Sequence, residues 1–482
     1  MARLEVRGNS WSCSQIYDWI DATNGITMTY DSKEKSSRSL SFYNVDMNLG
    51  RAQEIQNLLR HMAATNVYGS NSVSGSTTSY QCNNKCHIGE LNLHDCQGNV
   101  NQVLETALTL DLFSDVVITK ARQFRHQGDE RTVAFDHKDN DKNKEEDSIL
   151  SSVGTGMECT SNHLLRLRLG GIHFLSREPA TCIRNGLSST TFLQYLTMES
   201  CVFSDDAVSE ISMGLDENAS LRMLSMPNCH LGDTQVATIV HGLASHPTLQ
   251  DLELPANQCS FHGLQAISNL LKTTKLESLD LESQQNNSLQ CQMKLLVDGL
   301  SENQYLKRLI LGCNGLLDED MESLARVLWT CDSLEYLDLE MNWITDRGIA
   351  VFAIQTNPTK LRILRLYGNQ LSKNAACHIL QMVQINIQLG DVDCQSFGII
   401  DSSLQSGEIE HFMDWNHGGR ILVRDANITP IALWPLVLAR ANNLYRHQAA
   451  RRANVIYHLL PGPVFQLRRP TRVVPPSTSS ST

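Results

Sequence analysis

Apolar residues recur along the middle of the chain in segments of 27 to 30 residues. When the chain is cut before certain leucines, each segment has apolar side chains at places one, four and six, and usually Cys or Asn at place nine. The segments begin at Leu193, Leu221, Leu249, Leu276, Leu306, Leu334 and Leu361. Places four and six alternate with less apolar positions, which is typical of a short strand with one buried face. Each segment therefore predicts one short β-strand.

The second half of each segment predicts a helix. Val208, Ile211 and Leu215 are spaced three and four residues apart, so they would lie on one helix face. Place thirteen is an aspartate in four segments, directly before the helical pattern: Asp205, Asp233, Asp318 and Asp346. An aspartate in this position is predicted to be the N-cap that accepts hydrogen bonds from the first turn of its helix.

Place nine marks the point where each strand ends and the chain turns inward. An Asn there can hydrogen-bond to the backbone, and a Cys fills the same space as a small apolar residue. Over residues 164–389 this pattern resembles the leucine-rich repeat family, and within it the ribonuclease-inhibitor type. The resemblance implies an α/β solenoid curved like a horseshoe, with parallel strands on the concave side and helices on the convex side.

The regular pattern covers only part of the chain. An N-terminal region of degenerate leucine-rich repeats carries two flexible insertions, one rich in Ser, Gly and Asn and one highly charged. A regular array, a C-terminal capping segment with two helices and a disordered tail follow it. The predicted bounds are 1–160 with insertions at 66–87 and 126–148, then 161–395, 396–462 and 463–482. Because the chain opens directly on a repeat strand, we expect either further residues upstream or another surface that covers this end.

A cluster of cysteines and histidines raises the question of a metal site. Cys82, Cys86, His87, His94 and Cys96 fall within fifteen positions, and zinc sites use these residue types. The second half of this stretch fits the repeat, so Cys96 takes place nine and His94 the outward-facing place seven. Cys82, Cys86 and His87 stay as three candidate ligands without a matching second pair. The sequence therefore predicts no metal site.

Composition and charge restrict the functional classes. The net charge of −12 argues against a nucleic-acid-binding protein, because such proteins carry a basic face. The first residues lack the layout of a signal peptide, and the apolar stretch at 431–439 is too short to span a bilayer. Fourteen cysteines spread over 482 residues do not form a disulfide scaffold. These features predict a cytoplasmic protein with no membrane span.

Motifs that carry chemistry are missing from the sequence. The phosphate-binding G-x-x-x-x-G-K-[ST] and G-x-G-x-x-G patterns do not occur, nor do H-E-x-x-H, G-x-S-x-G or the kinase signatures. The sixteen histidines have no recurring acidic or nucleophilic partner. A repeat array also has no insertion large enough for a catalytic domain. We therefore predict a protein that is not an enzyme and needs no cofactor.

The strand positions outside the core offer a surface instead. Neighbouring strands lie about 4.8 Å apart, so equivalent places form ladders along the concave face. Places three, five and seven bring together acidic clusters, two arginines and two tyrosines, which are residue types favoured at binding hot spots. The predicted partner-binding residues are Glu253, Asp280, Glu282, Arg308, Tyr336, Asp338, Glu340, Arg365 and Tyr367. An ordinary hydrated face is the alternative, because exposed charge clusters are common and contribute little.

The sequence thus predicts a non-enzymatic scaffold that binds a protein partner on a partly acidic concave face, and we expect this partner to be basic. A GTPase-activating regulator of a small GTPase is an alternative, since some such proteins resemble this repeat type. Their long acidic tail is replaced here by a basic, Ser/Thr-rich one. The sensing half of a larger receptor or ubiquitin-ligase adaptor is a further alternative, suggested by the uncapped start.

Overall fold

The structure, a computed structural model, describes the repeat region almost continuously and parts of the chain before it. The described residues are 3–7, 39–43, 46–47, 52–57, 59–60, 88–94, 97–98, 103, 107–108, 113–119, 150–151, 153, 164–328, 331, 333–355, 360–393 and 404–417. They belong to two compact units, residues 1–314 and 315–482. Each unit is described by itself below.

The first unit is built on ten parallel strands in one sheet. They are, in the order of pairing, β1 (Arg3–Arg7), β2 (Ser39–Tyr43), β4 (Ile88–His94), β6 (Phe113–Thr119), β7 (Arg166–Gly170), β9 (Tyr195–Glu199), β11 (Met223–Ser225), β12 (Asp251–Glu253), β13 (Ser278–Asp280) and β14 (Arg308–Ile310). Two small parallel pairs accompany the sheet: β3 (Asp46–Met47) with β5 (Gln97–Gly98), and β8 (His173–Phe174) with β10 (Val202–Phe203).

From β7 onward, helices connect successive strands of the first unit and pack against one another in chain order. They are α1 (Arg177–Ser189), α2 (Asp205–Glu217), α3 (Asp233–Gly242), α4 (Phe261–Thr273) and α5 (Met293–Glu302). A 3-10 turn, Gln285–Asn287, lies in the longest repeat, where two extra residues enlarge the connection. The predicted succession of strand, turn and helix is confirmed.

The second unit repeats the same plan. Its parallel strands are β15 (Tyr336–Asp338), β16 (Ile363–Arg365) and β17 (Asp391–Asp393), and its helices are α6 (Asp318–Leu328), α7 (Asp346–Gln355), α8 (Ala375–Ile385) and α9 (Leu404–His417). Asn416 of α9 donates from Nδ2 to the carbonyls of Val383 and Leu389, both at 2.8 Å. Strand β17 and helix α9 therefore form a further repeat-like unit after Leu389, where the sequence pattern degenerates.

Burial follows the predicted places. Leu252 and Leu254, at places four and six, are fully buried, whereas their neighbours Asp251 and Glu253 are only half-buried. The same alternation of half-buried and buried residues recurs in β13, β15, β16 and β17. Removal of this leucine surface from water is the main stabilising term of such a solenoid. The α/β solenoid of parallel strands and helices is thus confirmed for each unit.

Place nine joins neighbouring repeats by hydrogen bonds. Asn257 donates from Nδ2 to the carbonyl of Met226 at 2.8 Å, and its Oδ1 accepts from the backbone N–H of Leu231 at 3.1 Å. Gln284 makes the equivalent pair with Leu254 and Cys259, at 2.8 and 2.9 Å. A buried backbone group without a partner would cost about 1–3 kcal/mol. The side chain at place nine therefore satisfies the turn of the preceding repeat.

The prediction for place thirteen was wrong in one respect. Each of the four aspartates is the first residue of its helix, and Ser204 rather than Asp205 is the N-cap of α2. The carboxylate of Asp233 instead accepts from the backbone N–H groups of Ser260, His262 and Gly263, at 2.7 to 2.9 Å. Burial alone would raise the pKa of Asp233, but these donors outweigh it and the pKa lies below its ordinary value. The aspartate thus caps the helix of the following repeat.

The domain bounds given above stay predictions. The insertions at 66–87 and 126–148 and the tail at 463–482 lie outside the described residues. So do the two predicted helices of the capping segment, which follow residue 423, whereas α9 lies at the start of that segment.

Candidate functional site

The predicted partner-binding residues lie in two groups, one in each compact unit, on the side of the sheet opposite the helices. We call the half-buried and exposed side chains of strands β11 to β17 and of the two residues after each strand the strand face. The first group is Glu253, Asp280, Glu282 and Arg308. The second is Tyr336, Asp338, Glu340, Arg365 and Tyr367.

The first group is brought together by strand pairing. Glu253 of β12 pairs with Asp280 of β13, so two carboxylates are direct neighbours across parallel strands. Arg308 of β14 pairs with Ser278 of β13, two residues before Asp280. One oxygen of Asp280 also accepts from the backbone N–H of Glu282 at 2.9 Å. Asp280 therefore supports the local turn as well as contributing charge to the face.

Two further carboxylates, those of Asp251 and Glu277, belong to this group and were not predicted from the sequence. Burial raises the pKa of Asp251 above its ordinary value, and the negative charges of Glu253 and Glu277 raise it further. Lys307 and Arg308 act in the opposite direction but do not reverse the shift. Lys307 is bound to Glu277 at 2.6 Å. The first group thus contains five carboxylates and two cations, and burial is the main cause of the raised pKa of Asp251.

The second group is a hydrogen-bonded cluster on β15. Asp338 accepts from the hydroxyl of Tyr336 and from the backbone N–H of Glu340, both at 3.0 Å. Burial raises the pKa of Tyr336, and the adjacent carboxylate of Asp338 raises it further. The hydroxyl of Tyr336 is therefore hydrogen-bonded to a residue of the strand face, Asp338. Tyr367 differs from it in leaving 37% of its side-chain surface exposed.

Arg365 has a different setting from the one predicted. Its guanidinium lies against the carboxylate of Asp391 on β17, with N–O distances of 3.3 and 3.1 Å, and 3.9 Å from Asp393. A planar guanidinium that meets a carboxylate with two nitrogens is a well-oriented pair. Asp391 and Asp393 were missed because they lie in the repeat after Leu389, where the apolar pattern fades. Both residues could have been predicted, because they occupy places three and five of the segment that begins at Leu389.

The Cys/His stretch contributes a structural contact. Leu91 and Leu93 are buried, and His94 stacks on Tyr43 with ring centroids 4.6 Å apart while Nδ1 contacts the hydroxyl of Thr119. Tyr43, His94 and Thr119 are successive partners across β2, β4 and β6. The candidate ligands Cys82, Cys86 and His87 lie outside the described residues.

The described part of the chain has neither a membrane-spanning helix nor a metal-binding group of side chains. Its helices include none that is both long enough and apolar enough to cross a membrane. Its His, Cys, Asp and Glu side chains do not form a group of three or more that could hold a metal ion.

Comparison with known proteins places part of the chain in a family. The Leucine Rich repeat family matches residues 302–325 and 330–353. No curated protein sequence matches the chain. Among solved structures, an internalin from Listeria monocytogenes is similar with 14% identity and a TM-score of 0.38, over 73% of this chain and 92% of that one. The matched segments include strands β14 and β15, with Asn314 and Asn342 at place nine. Residues 302–325 and 330–353 are thus leucine-rich repeats by sequence, and the other regular repeats of the described chain have the same succession of strand and helix.

Proposed function

We propose that this protein is a non-enzymatic scaffold that binds a basic protein partner through its strand face. Leucine-rich repeats commonly serve protein interactions, and they leave the strand positions outside the core for the partner. The observation that carries the proposal is the pairing of Glu253 with Asp280 on adjacent parallel strands, which places two carboxylates side by side. Burial is the main cause of the raised pKa of the neighbouring Asp251, and the charges of Glu253 and Glu277 add to it.

Clustered carboxylates lower the stability of an isolated sheet, because like charges on adjacent strands repel. A partner that brings lysine or arginine to this surface relieves the repulsion and gains orientation and association rate from it. The second group supports the same chemistry, since four carboxylates (Asp338, Glu340, Asp391 and Asp393) accompany one guanidinium on its strand positions. The ribonuclease-inhibitor type of repeat and a cytoplasmic location accompany this proposal as predictions.

The test compares two sets of charge reversals in the full chain. The first set replaces Glu253, Asp280, Asp338 and Glu340 by Lys. The control set replaces Asp216, Asp298, Glu408 and Glu410, which are exposed acidic residues on helices, two in each unit. Each set adds two charges at four positions, so both change the formal net charge from −12 to −4. Proteins captured from the source-cell lysate are identified by mass spectrometry.

We expect specific partners to be lost with the first set and kept with the control set. Because Asp280 and Asp338 also accept backbone hydrogen bonds, an Asn variant of both keeps an acceptor and removes the charge. Combined with Gln at Glu253 and Glu340, it should still lose the partners while its thermal unfolding stays close to that of the natural protein. Identical protein lists from the face set and the control set would refute the proposal.

A further inference from the structure

Place eight of every regular repeat has a left-handed backbone. The residues in this column are Gly171, Ser200, Asn228, Ala256, Ser283, Cys313, Met341 and Gly368, with φ between 53° and 75°. Side chains with a Cβ crowd the backbone in this region, so Gly and Asn are favoured there. Gly171, Asn228 and Gly368 follow this rule, whereas the other five residues of the column are neither Gly nor Asn. Met341 has the longest side chain among these five.

Met341 is also one of the most exposed apolar side chains of its unit. It leaves 47% of its surface in contact with solvent, and Trp343, two residues later, leaves 45%. The backbone N–H of Met341 donates to the carbonyl of Tyr367 at 2.7 Å, so the backbone of a third exposed apolar residue lies beside Met341 in the neighbouring repeat. We call Met341, Trp343 and Tyr367 the apolar anchor.

Place ten, which is Trp343 in its own repeat, is polar in three successive repeats of the first unit. The residues are His230, Gln258 and Gln285, and their side chains are linked by contacts of 3.1 Å. Such a polar ladder satisfies itself and is compatible with water. Trp343 has a large apolar surface, so its exposure to water is unfavourable. Tryptophan is also enriched at binding hot spots.

Charge indicates what kind of segment would cover the apolar anchor. Glu340 directly precedes Met341 along the chain, and Asp338 lies two residues before Glu340. Arg365 engages Asp391, so the strand positions of this unit keep an excess of carboxylates beside the anchor. The complementary ligand has positive charge next to a large apolar side chain.

We infer that Met341, Trp343 and Tyr367 form the docking site for one large apolar side chain of a lysine- or arginine-bearing segment of the partner protein. This inference rests on the proposed function and adds an apolar contact to it. Burial of a side chain of this kind removes apolar surface of both partners from water, and the flanking carboxylates orient the basic residues.

The probe is a random dodecapeptide library displayed on phage and selected on the immobilised full chain. The strongest binders are resynthesised, and their affinities are measured by fluorescence anisotropy against the natural protein and three variants. Trp343→Ser and Met341→Gly remove parts of the apolar anchor. Ile354→Ser is the matched control, because Ile354 is an exposed apolar residue of the same unit that lies on helix α7.

We expect binders with one large apolar residue beside two or more basic residues. Their affinity should fall at least tenfold with Trp343→Ser and Met341→Gly and stay within twofold with Ile354→Ser. Met341→Gly should at the same time raise Tm, because glycine adopts the left-handed backbone without strain. The side chain of Met341 also lies against Gly368. If Met341 served only this packing, its removal would lower Tm, so the sign of the change in Tm separates packing from binding.

Four results would overturn the inference: no binders, acidic binders, binders insensitive to the anchor variants, or a lower Tm with unchanged binding in Met341→Gly. The proposed function has a separate test. If the lysate partners are lost on charge reversal but kept by Trp343→Ser and Met341→Gly, the acidic strand face stands and the apolar anchor fails. If binding to the peptides survives charge reversal, the basic chemistry of the ligand is overturned.

Discussion

Residues 193–248 and residues 249–314 of the first unit build the same repeat with different side chains at place nine and, at the end of the earlier region, at a second polar position. At place nine the earlier region has Cys201 and Cys229, and the later one has Asn257, Gln284 and Asn314. Cys229 donates from Sγ to the carbonyl of Met198 at 2.9 Å, so it satisfies one acceptor of the preceding strand. Asn257 does this and also accepts from the N–H of Leu231.

A second polar position lies three residues before the next repeat begins. It is Asn218 before Leu221 and Asn303 before Leu306. Asn303 donates to the carbonyl of Leu271 and accepts from the N–H groups of Tyr305 and Leu306, all within 2.8 Å, and Asn218 makes the equivalent bonds in its own repeat. At the end of the earlier region the equivalent residue is His246, which is 6% exposed and whose Nδ1 has no hydrogen-bond partner. Its Nε2 lies 3.4 Å from Oδ1 of Asn218.

Filling the space at these positions and hydrogen-bonding to the backbone are therefore separate contributions in this repeat. Cysteine and histidine fit the space, but asparagine connects backbone groups on both sides of it. We therefore expect the two regions to differ in how strongly each position contributes to the free energy of unfolding and in how that contribution responds to pH.

The largest effect is expected from Asn257→Ala. The change leaves the carbonyl of Met226 and the N–H of Leu231 without this partner in a buried turn, whereas the carbonyl of Leu254 keeps its hydrogen bond from Gln284. One buried unsatisfied group costs about 1–3 kcal/mol, and we expect a total loss of about 3 kcal/mol because the turn can relax. Urea unfolding of the full chain, followed by circular dichroism, measures it.

The control for this prediction is Asn269→Ala. Asn269 lies in helix α4 of the same repeat and its side chain is exposed, so its replacement should change the free energy of unfolding by less than about 0.5 kcal/mol. If Asn257→Ala were as mild as this control, the hydrogen bonds of place nine would contribute nothing beyond filling space.

How much of this could be predicted from the sequence depends on the range of each interaction. Places four, six and nine were predicted because the period of the repeat fixes which side chains face the core. The cap by Asp233 was assigned to the wrong helix, since spacing along one segment does not show that a carboxylate reaches the next repeat. Gln284 performs the role of Asn with a longer side chain, which a rule of residue types does not anticipate.

The candidate site was predictable in composition but less so in its contacts. Ladders of places three and five gave Glu253 beside Asp280 and Asp338 beside Arg365, and strand pairing confirms both neighbours. The ion pair of Arg365 with Asp391 depends on a repeat that has lost its apolar signature. The left-handed backbone of Met341 is a property of the turn that no hydrophobic pattern records.

An intermediate effect is expected from His246, and it depends on pH. Burial lowers the pKa of His246 to about 4, from an ordinary value of 6.5. Between these values the unfolded chain binds a proton that the folded chain does not, so stability falls as the pH is lowered through this window. We expect His246→Asn to remove a loss of about 1–2 kcal/mol, smaller than the full linkage energy because solvent near the loop screens the ring.

Unfolding of both proteins at about pH 7 and about pH 4.5 tests this difference. The matched control is His241→Asn, which replaces an exposed histidine at the end of helix α3 and should leave the pH dependence unchanged. An equal loss of stability on acidification in the natural protein and in His246→Asn would show that other groups cause it.

The smallest effect is expected from Cys229→Ala. Alanine removes one sulfur atom from a buried site and with it the weak hydrogen bonds to the carbonyls of Met198 and Pro227. We expect a loss of about 1 kcal/mol, about a third of that for Asn257→Ala, measured by the same unfolding curves. Cys229→Ser retains a donor of similar size, so it should recover part of the loss if the hydrogen bond matters and none if only packing does. A loss in Cys229→Ala equal to that in Asn257→Ala would contradict the distinction between the two regions, because it would mean that a single donor at place nine carries the whole contribution.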